Sequence, residues 1–437
     1  MSRFDVIVVG RGAIGAAAAL ALAGAGRKIA LVGPEPPSAP GHAWDSRVFA
    51  LSPASRRLLE RLGAWSGIDQ GRVAPVYDMR LHNRAAHAWM PGRARALASL
   101  PEVHLDAYRA HVEALAWIVE NREIEAGLGA AIGRSGVTLI DARVVELGLP
   151  APDARGSVAA SVTLDDGRRL QARLVVGADG AGSPIRDMAG IAHRLVDHRQ
   201  TAVVANFETD APTRDCASQW FCDDGVLAML PLAVPDAAFA APAAVAQADE
   251  TGGGSREGPV LGRFSMVWSL PTEAAQALVD DPDLAARVAQ VAGPAFGRLR
   301  VITPPTGWPL RSIRCKTVIA PALVLVGDAA HAVHPMAGQG MNLGFGDVAT
   351  LASVVGGDAA PGRKTPIAAD RLTLRRYERA RAEPVALMQA SLDALGFAFG
   401  PASVGSRAPL AGLRDLGWRI VASNGWIRRR MIDHAVS

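Results

Sequence analysis

The segment from Gly327 to Asp347, GDAAHAVHPMAGQGMNLGFGD, constrains the fold more than any other part of the chain. The apolar run Ala322 to Val326 reads as a buried strand that ends in Gly-Asp and passes through a glycine-rich turn into a helix opening near Met341 and Asn342. A small residue after the strand, Gly327, lets a ligand approach the backbone, and Asp328 can accept hydrogen bonds from sugar-like hydroxyls. The first amides of the helix have no intrahelical partner and point at negative charge. This is the layout of a nucleotide contact.

A related layout opens the chain. The run Phe4 to Val9 is followed by GRGAIG, with Gly10, Gly12 and Gly15 around Ala13 and Ile14, and then by the alanine-rich stretch Ala16 to Ala23. The first glycine allows a tight turn, the second lets a pyrophosphate reach the helix N-terminus, and the third permits helix-on-strand packing. A third piece lies between the two. The strand Leu174 to Val176 runs into Gly177, Asp179, Gly180 and Gly182, and Ser183 and Pro184 begin another helix.

With these three pieces in order, the chain resembles the class A flavoprotein monooxygenases, which pair a GxGxxG fold with a DG and a GD segment around one FAD. More narrowly it resembles the ubiquinone-biosynthesis hydroxylase family, whose HPxAGQGxNxGxxD signature is matched from His334 to Asp347. Further family-like pieces are DSRVFALSPAS (Asp45 to Ser55), IVENREIEAGL (Ile118 to Leu128), GVLAMLPL (Gly225 to Leu232) and SMVWSLP (Ser265 to Pro271). The resemblance implies a Rossmann-like α/β FAD-binding domain, an inserted antiparallel-sheet substrate domain and C-terminal helices. It also implies hydroxylation of a polyprenylphenol or benzoquinol ring, with NAD(P)H as transient reductant and dioxygen activated as a flavin hydroperoxide. By the same resemblance the backbone at Gly340, Met341 and Asn342 faces the flavin pyrimidine, and Pro335 and Gly338 shape the adjoining turn. Gly327 and Asp328 serve the ribityl or phosphate side, Asp179 is a second polar partner, and Arg47 and Asn121 lie beside the flavin. Read from residue type alone, Arg47 is equally a solvated loop arginine and Asn121 a helix cap.

Composition agrees with a large soluble enzyme without naming one. A chain of 437 residues can bury a substantial core and form two or three structural units. Its 46 basic and 42 acidic residues nearly balance, and the high pI of 9.3 comes from an arginine-rich composition with three lysines. The arginines are scattered rather than interleaved with aromatics, so no nucleic-acid footprint is expected. Cys216, Cys222 and Cys315 are odd in number and lack metal-like spacing, which points to a reduced, cytoplasmic setting. The N-terminus enters the first strand too soon for a signal peptide. The stretch Val226 to Ala248 is broken by Pro231, Pro235, Asp236 and Pro242, so any membrane contact is peripheral.

The expected organisation is an FAD-binding domain of residues 1–72, 108–188 and 300–355, a substrate domain of 73–107 and 189–299, and a helical region of 356–437. Alternation in Val203, Ala205, Phe207 and in Phe264, Met266, Trp268 predicts strands in the substrate domain. The glycine-rich stretch from Pro242 to Gly258 reads as a surface insertion. Leu372, Tyr377, Leu387, Met388, Leu392 and Leu395 are read as one helical face.

Other residues carry two readings each. His331 and His334 are three apart but lack a third metal ligand, so no metal is expected. Trp220, Phe221, Trp268 and Trp308 suit either an aromatic pocket or the core. No base is legible, with His42, His87 and Tyr77 undistinguished from packing residues. The strand that often ends in a ribose-binding acid ends here in Gly33, with Glu35 two residues on. The C-terminal run Leu410, Leu413, Leu416, Trp418, Ile420 and Trp426 beside Arg428 to Arg430 suits contact with a membrane, a quinone-synthesis partner, its own domain or a second copy. Two rival functions stand beside the hydroxylase: turnover of a soluble aromatic, and a non-catalytic flavin-fold subunit of a quinone-synthesis assembly.

Overall fold

The computed structural model describes residues 2–35, 43–83, 101–151, 159–222, 225–234, 260–333, 339–356, 367–399 and 418–419. Five parallel strands form the first sheet in the order Leu323–Leu325, Arg169–Gly177, Ser2–Val9, Ile29–Val32 and Thr138–Ile140. Short antiparallel strands extend its margins. Val6, Ile7 and Val8 are all fully buried, because both faces of the sheet are covered. This is why its strands read as unbroken apolar runs rather than alternating ones. One face carries the helices Ala13–Ala23, Asn121–Gly133 and Gly340–Gly356.

The Ala13–Ala23 helix is buried almost all round, and its small side chains let it lie close to the sheet. At Gly15 a methyl group would overlap the carbonyl of Gly10, so only glycine permits that approach. Gly10 itself has φ +113°, and a side chain there would strike the backbone of Ala178.

The second sheet has nine strands and runs His331–Ala332, Thr306–Cys315, His193–Thr209, Gly262–Pro271, Val226–Leu232, Cys216–Phe221, Asp78–Asn83 and Val103–Asp106. Leu299–Val301 joins it off this path, beside His193–Thr209. The strands predicted from alternation are present here. Val203, Ala205, Phe207, Phe264, Met266 and Trp268 face one core beneath the helices Thr272–Val279 and Leu284–Ala292. Trp220 lies in the same core, and Phe221 packs edge-on to Trp418 at 5.6 Å. Trp308 is the exception among the four candidate pocket aromatics, since it is exposed. A three-stranded antiparallel sheet, Val48–Leu51, Ala116–Glu120 and Ala74–Val76, completes the arrangement.

The loop before Val48 bridges the nine-stranded and three-stranded sheets. Asn206 Nδ2 donates to the Asp45 carbonyl at 2.9 Å, and the Trp44 ring has the guanidiniums of Arg72 at 4.3 Å and Arg263 at 5.4 Å. Arg72 also donates to the buried Glu120 carboxylate, which accepts from the Asp45 amide as well.

The Arg371–Phe399 helix corrects one sequence expectation. Tyr377 and Leu392 are buried and Met388 packs inward, but Leu372 and Leu387 are exposed. Five residues separate Leu372 from Tyr377, which at 3.6 residues per turn places them on different faces. Leu374 takes the inward position instead. The side chain of Leu395, the Pro242–Gly258 insertion and the C-terminal run other than Trp418 lie outside the described residues. Trp418 is held by its own chain, with Nε1 donating to the Pro101 carbonyl at 2.7 Å.

Candidate cofactor and active site

Three strand ends meet at the carboxyl edge of the parallel sheet. Ala178 N donates to Val9 O at 2.7 Å and Val326 N to Gly177 O at 2.9 Å, so the GxGxxG, DG and GD turns lie side by side. Open parallel sheets bind ligands in the crevice outside these ends. Ile14 locks the turns to the helix that follows the third. A Cβ on Gly327 would lie 3.1 Å from Ile14 Cγ2, and one on Gly344 would lie 2.7 Å from its Cδ1. The Ile14 side chain therefore packs between the two glycines.

Gly12 differs from Gly10 and Gly15. A Cβ there would meet nothing within 4 Å, and the same is true at Gly180 and Gly182. The helices beginning at Ala13 and Gly340 carry no acidic residue in their first turns. Neither helix thus compensates its positive end with an acid of its own first turn, which leaves the first amides open to an anion.

Asp328 lies beside Gly340, where a Cβ would be 4.0 Å from its Oδ1. Its side chain is open to solvent, yet surrounding protein raises its carboxyl above the ordinary range, with His331 opposing and Asp347 adding. Asp179, by contrast, is engaged by protein. It accepts from Ser183 Oγ at 2.5 Å and from Ile185 N at 3.0 Å, capping the Pro184–Met188 helix. Burial raises its carboxyl despite those bonds.

The opening turn at Gly340, Met341 and Asn342 is clamped by the Asn342 side chain. Its Oδ1 accepts from Ser52 N at 3.0 Å and Ser55 Oγ at 2.7 Å, and its Nδ2 donates to Ala50 O at 2.9 Å. The side chain is consumed in holding the helix, which leaves the backbone amides as the groups that can face a ligand. Arg47 and Asn121 are adjacent, with Asn121 N donating to Arg47 O at 2.9 Å. Arg47 is half exposed, 3.7 Å from Asp45 and 6.0 Å from the Trp308 ring. Asn121 is the first residue of its helix rather than the cap, a position Glu120 takes. Among the described residues its buried Nδ2 has no hydrogen-bond partner.

Asp347 closes the quoted motif but drew no role from the sequence. It is fully buried, accepting from Gly327 N at 2.8 Å and Arg381 Nε at 2.6 Å. His331 Nε2 lies 2.8 Å away at ion-pair distance, without the alignment of a hydrogen bond. Burial alone would raise the Asp347 carboxyl, but His331 and Arg381 outweigh it and hold it low. Burial likewise opposes charge on His331, and Asp347 outweighs it and raises the imidazole. His331 is therefore an ion-pair partner inside the fold. The motif spacing flagged Asp347, whereas nothing marked Arg381, which lies 34 residues further on.

Gly33 and Glu35 leave the adenosine end open. Gly33 N donates to Ile140 O at 3.1 Å, and Glu35 is exposed with its amide donating to Asp141 at 3.3 Å. Tyr77 is exposed. Pro335, Gly338, His334, His42 and His87 lie outside the described residues.

The chain matches the FAD binding domain family over residues 3–373. It is 30% identical to "Ubiquinone hydroxylase UbiL" of Rhodospirillum rubrum, over 99% of this chain and 89% of that protein. It is 28% identical to "3-demethoxyubiquinol 3-hydroxylase" of Escherichia coli, over 99% and 98% respectively. Among solved structures, Klebsiella pneumoniae HpxO complexed with FAD and uric acid superposes with a TM-score of 0.68 at 17% identity, covering 100% of this chain and 97% of that one. The open space at Gly12 and the acid-free first turns of the two helices are compatible with FAD. The chain belongs to the FAD-dependent aromatic monooxygenases, in the family of the ubiquinone-biosynthesis hydroxylases.

Proposed function

We propose that this protein hydroxylates the ring of a polyprenylphenol or benzoquinol intermediate in ubiquinone synthesis. The observation that carries the reading is a pair of helices with acid-free first turns opening at the carboxyl edge of the parallel sheet, in a chain that aligns along 99% of its length with a ubiquinone hydroxylase. The chemistry FAD supplies when bound is acceptance of hydride from NAD(P)H and activation of dioxygen, so that one oxygen atom passes to the ring. The chain's own residues bind, orient and stabilise charge. In this assignment Gly10, Gly12, Ala13, Ile14 and Gly15 build the pyrophosphate turn, and Gly327 and Asp328 serve the ribityl side. Pro335 and Gly338 belong to the turn that follows. The amides of Gly340, Met341 and Asn342, held rigid by the Asn342 clamp, stabilise negative charge on the ring system. Asn121 gives its free amide, Arg47 gives a cation at the crevice, and Asp179 holds the DG turn in shape.

The FAD domain is proposed as 1–72, 108–188 and 300–355 and the substrate domain as 73–107 and 189–299, although Thr306–Cys315 and His331–Ala332 pair within the nine-stranded sheet. Among the described residues no helix is long and apolar enough to cross a membrane. A prenyl tail is poorly carried through water. The protein is therefore placed at a membrane surface, or beside a partner that presents the substrate.

Asn121→Ala is expected to leave stability within about 1 kcal/mol, since the lost amide has no partner among the described residues. FAD affinity should fall roughly fivefold, read by flavin fluorescence titration, in keeping with a hydrogen bond worth about 1 kcal/mol. Unchanged affinity would remove Asn121 from the site.

The direct test is NADH and NADPH oxidation with dioxygen uptake by the FAD-loaded protein, with and without a short-tailed prenylphenol, followed by mass analysis. A substrate-stimulated rate and a product heavier by one oxygen are expected. Turnover of simple hydroxybenzoates without dependence on the prenyl chain would assign a soluble aromatic instead. Bound FAD with no stimulation by any phenol would favour the scaffold.

A further inference from the structure

A second cavity, of about 720 Å³, lies away from the candidate FAD crevice. It opens between the Ile319–Ala322 hairpin at the sheet margin and the first turns of the Arg371–Phe399 helix. One of its arginines, Arg173, is four residues before Gly177, roughly 13 Å back along a parallel strand whose far end borders the crevice. Ile319, Ile367 and Leu374 give the cavity apolar walls.

Arg173, Arg371 and Arg375 all border this cavity. Arg371 and Arg375 are four apart and share a helix face, and Arg173 comes from the sheet. Among the described residues, none of the three pairs with a carboxylate. The two acids at the cavity are already engaged. Asp370 accepts from the amides of Leu372 and Thr373 and from Thr373 Oγ1 at 2.7 Å. Glu378 accepts from Thr317 Oγ1 at 2.5 Å and Val318 N at 3.1 Å. An arginine on an open helix face is normally just solvated. Here guanidiniums from two separate elements border one partly apolar hollow, where Arg173, Arg371 and Arg375 outnumber the carboxylates of Asp370 and Glu378.

One guanidinium fork suffices for a carboxylate, whereas three supply donors for the several oxygens of a phosphate ester. The volume suits a ligand of nucleotide or headgroup size. We propose that this cavity is a second anion site, distinct from that of FAD, for a phosphate ester carrying an apolar or planar group. The ester is supplied by a soluble nucleotide or by an anionic phospholipid.

The test uses the full-length protein saturated with FAD, so that the flavin crevice is filled. ADP is titrated calorimetrically, and co-sedimentation is measured with phosphatidylglycerol–phosphatidylcholine vesicles against phosphatidylcholine alone. At least one probe is expected to bind, and Arg173→Gln and Arg375→Gln should each weaken it tenfold or more, with FAD content and NAD(P)H oxidation unchanged. Arginine-dependent binding of ADP identifies the soluble ester, and of the anionic vesicles the headgroup. If neither probe binds the wild-type protein, or if binding survives both variants, the proposal is overturned. FAD content reports whether each variant has folded, and the wild-type titration stands without them.

Discussion

Gly12→Val is expected to give a folded protein that does not retain FAD, whereas Gly15→Val is expected not to fold. At Gly12 the backbone has φ −69° and ψ 177°, which any residue adopts, and a Cβ would meet no atom of the described residues within 4 Å. Nothing among the described residues requires glycine there, so the requirement comes from what approaches it. FAD affinity should fall at least a hundredfold, about 2.7 kcal/mol, while the melting temperature of the FAD-free protein stays within about 2 °C, a change below roughly 1 kcal/mol. At Gly15 a side chain would overlap the Gly10 carbonyl, where the helix and strand have no room to part. Overpacking a backbone contact costs on the order of 3 kcal/mol or more, a large share of a domain's stability. Circular dichroism melts and flavin fluorescence titrations separate the two. Parallel loss of fold in both variants would show that the Gly12 space belongs to the chain rather than to a ligand.

Asp347→Ala should be the most damaging single change among the buried polar residues, at about 3–5 kcal/mol. It would strip His331 and Arg381 of their shared carboxylate and leave the Gly327 amide unpaired. Chemical denaturation would measure the loss, and a deficit under about 1 kcal/mol would mean that water replaces the carboxylate readily. The network also predicts a pH window. Asp347 lies below its ordinary value of 3.8, so its contribution is present above that value and is lost as pH falls through the lower folded value. His331 lies above its ordinary value of 6.5, so its contribution is complete below 6.5 and is lost as pH rises through the higher folded value. The gap between wild type and Asp347→Ala should be widest between these limits and shrink on both sides. A gap that does not shrink as pH rises above 6.5 would mean that His331 stays neutral in the fold.

Some parts of this architecture were legible because their cause is local. Unbroken apolar runs mark strands buried on both faces, and Val6 to Val8 and Leu323 to Val326 are of that kind. Alternation at Val203, Ala205 and Phe207 marks a strand with one core-facing side. Other assignments failed or stayed ambiguous because residue type does not decide them. Asn121 read as a flavin contact or a helix cap, and the backbone gives the cap position to Glu120. Leu372 and Leu374 are the same residue type two apart, and only packing puts Leu374 inside.

The sequence by itself determined the order of strands, turns and helices, and the positions where only glycine fits, because those depend on φ, ψ and the spacing of apolar side chains over a few residues. Only the tertiary structure decided that Arg381 would share Asp347 with His331, that Asn342 would spend its side chain on Ala50, Ser52 and Ser55, and that Trp308 would stay exposed while Trp220 and Trp268 were buried. Those pairings join segments far apart in the chain. Their energies come from burial and charge proximity, which exist only after the sheets and helices have packed.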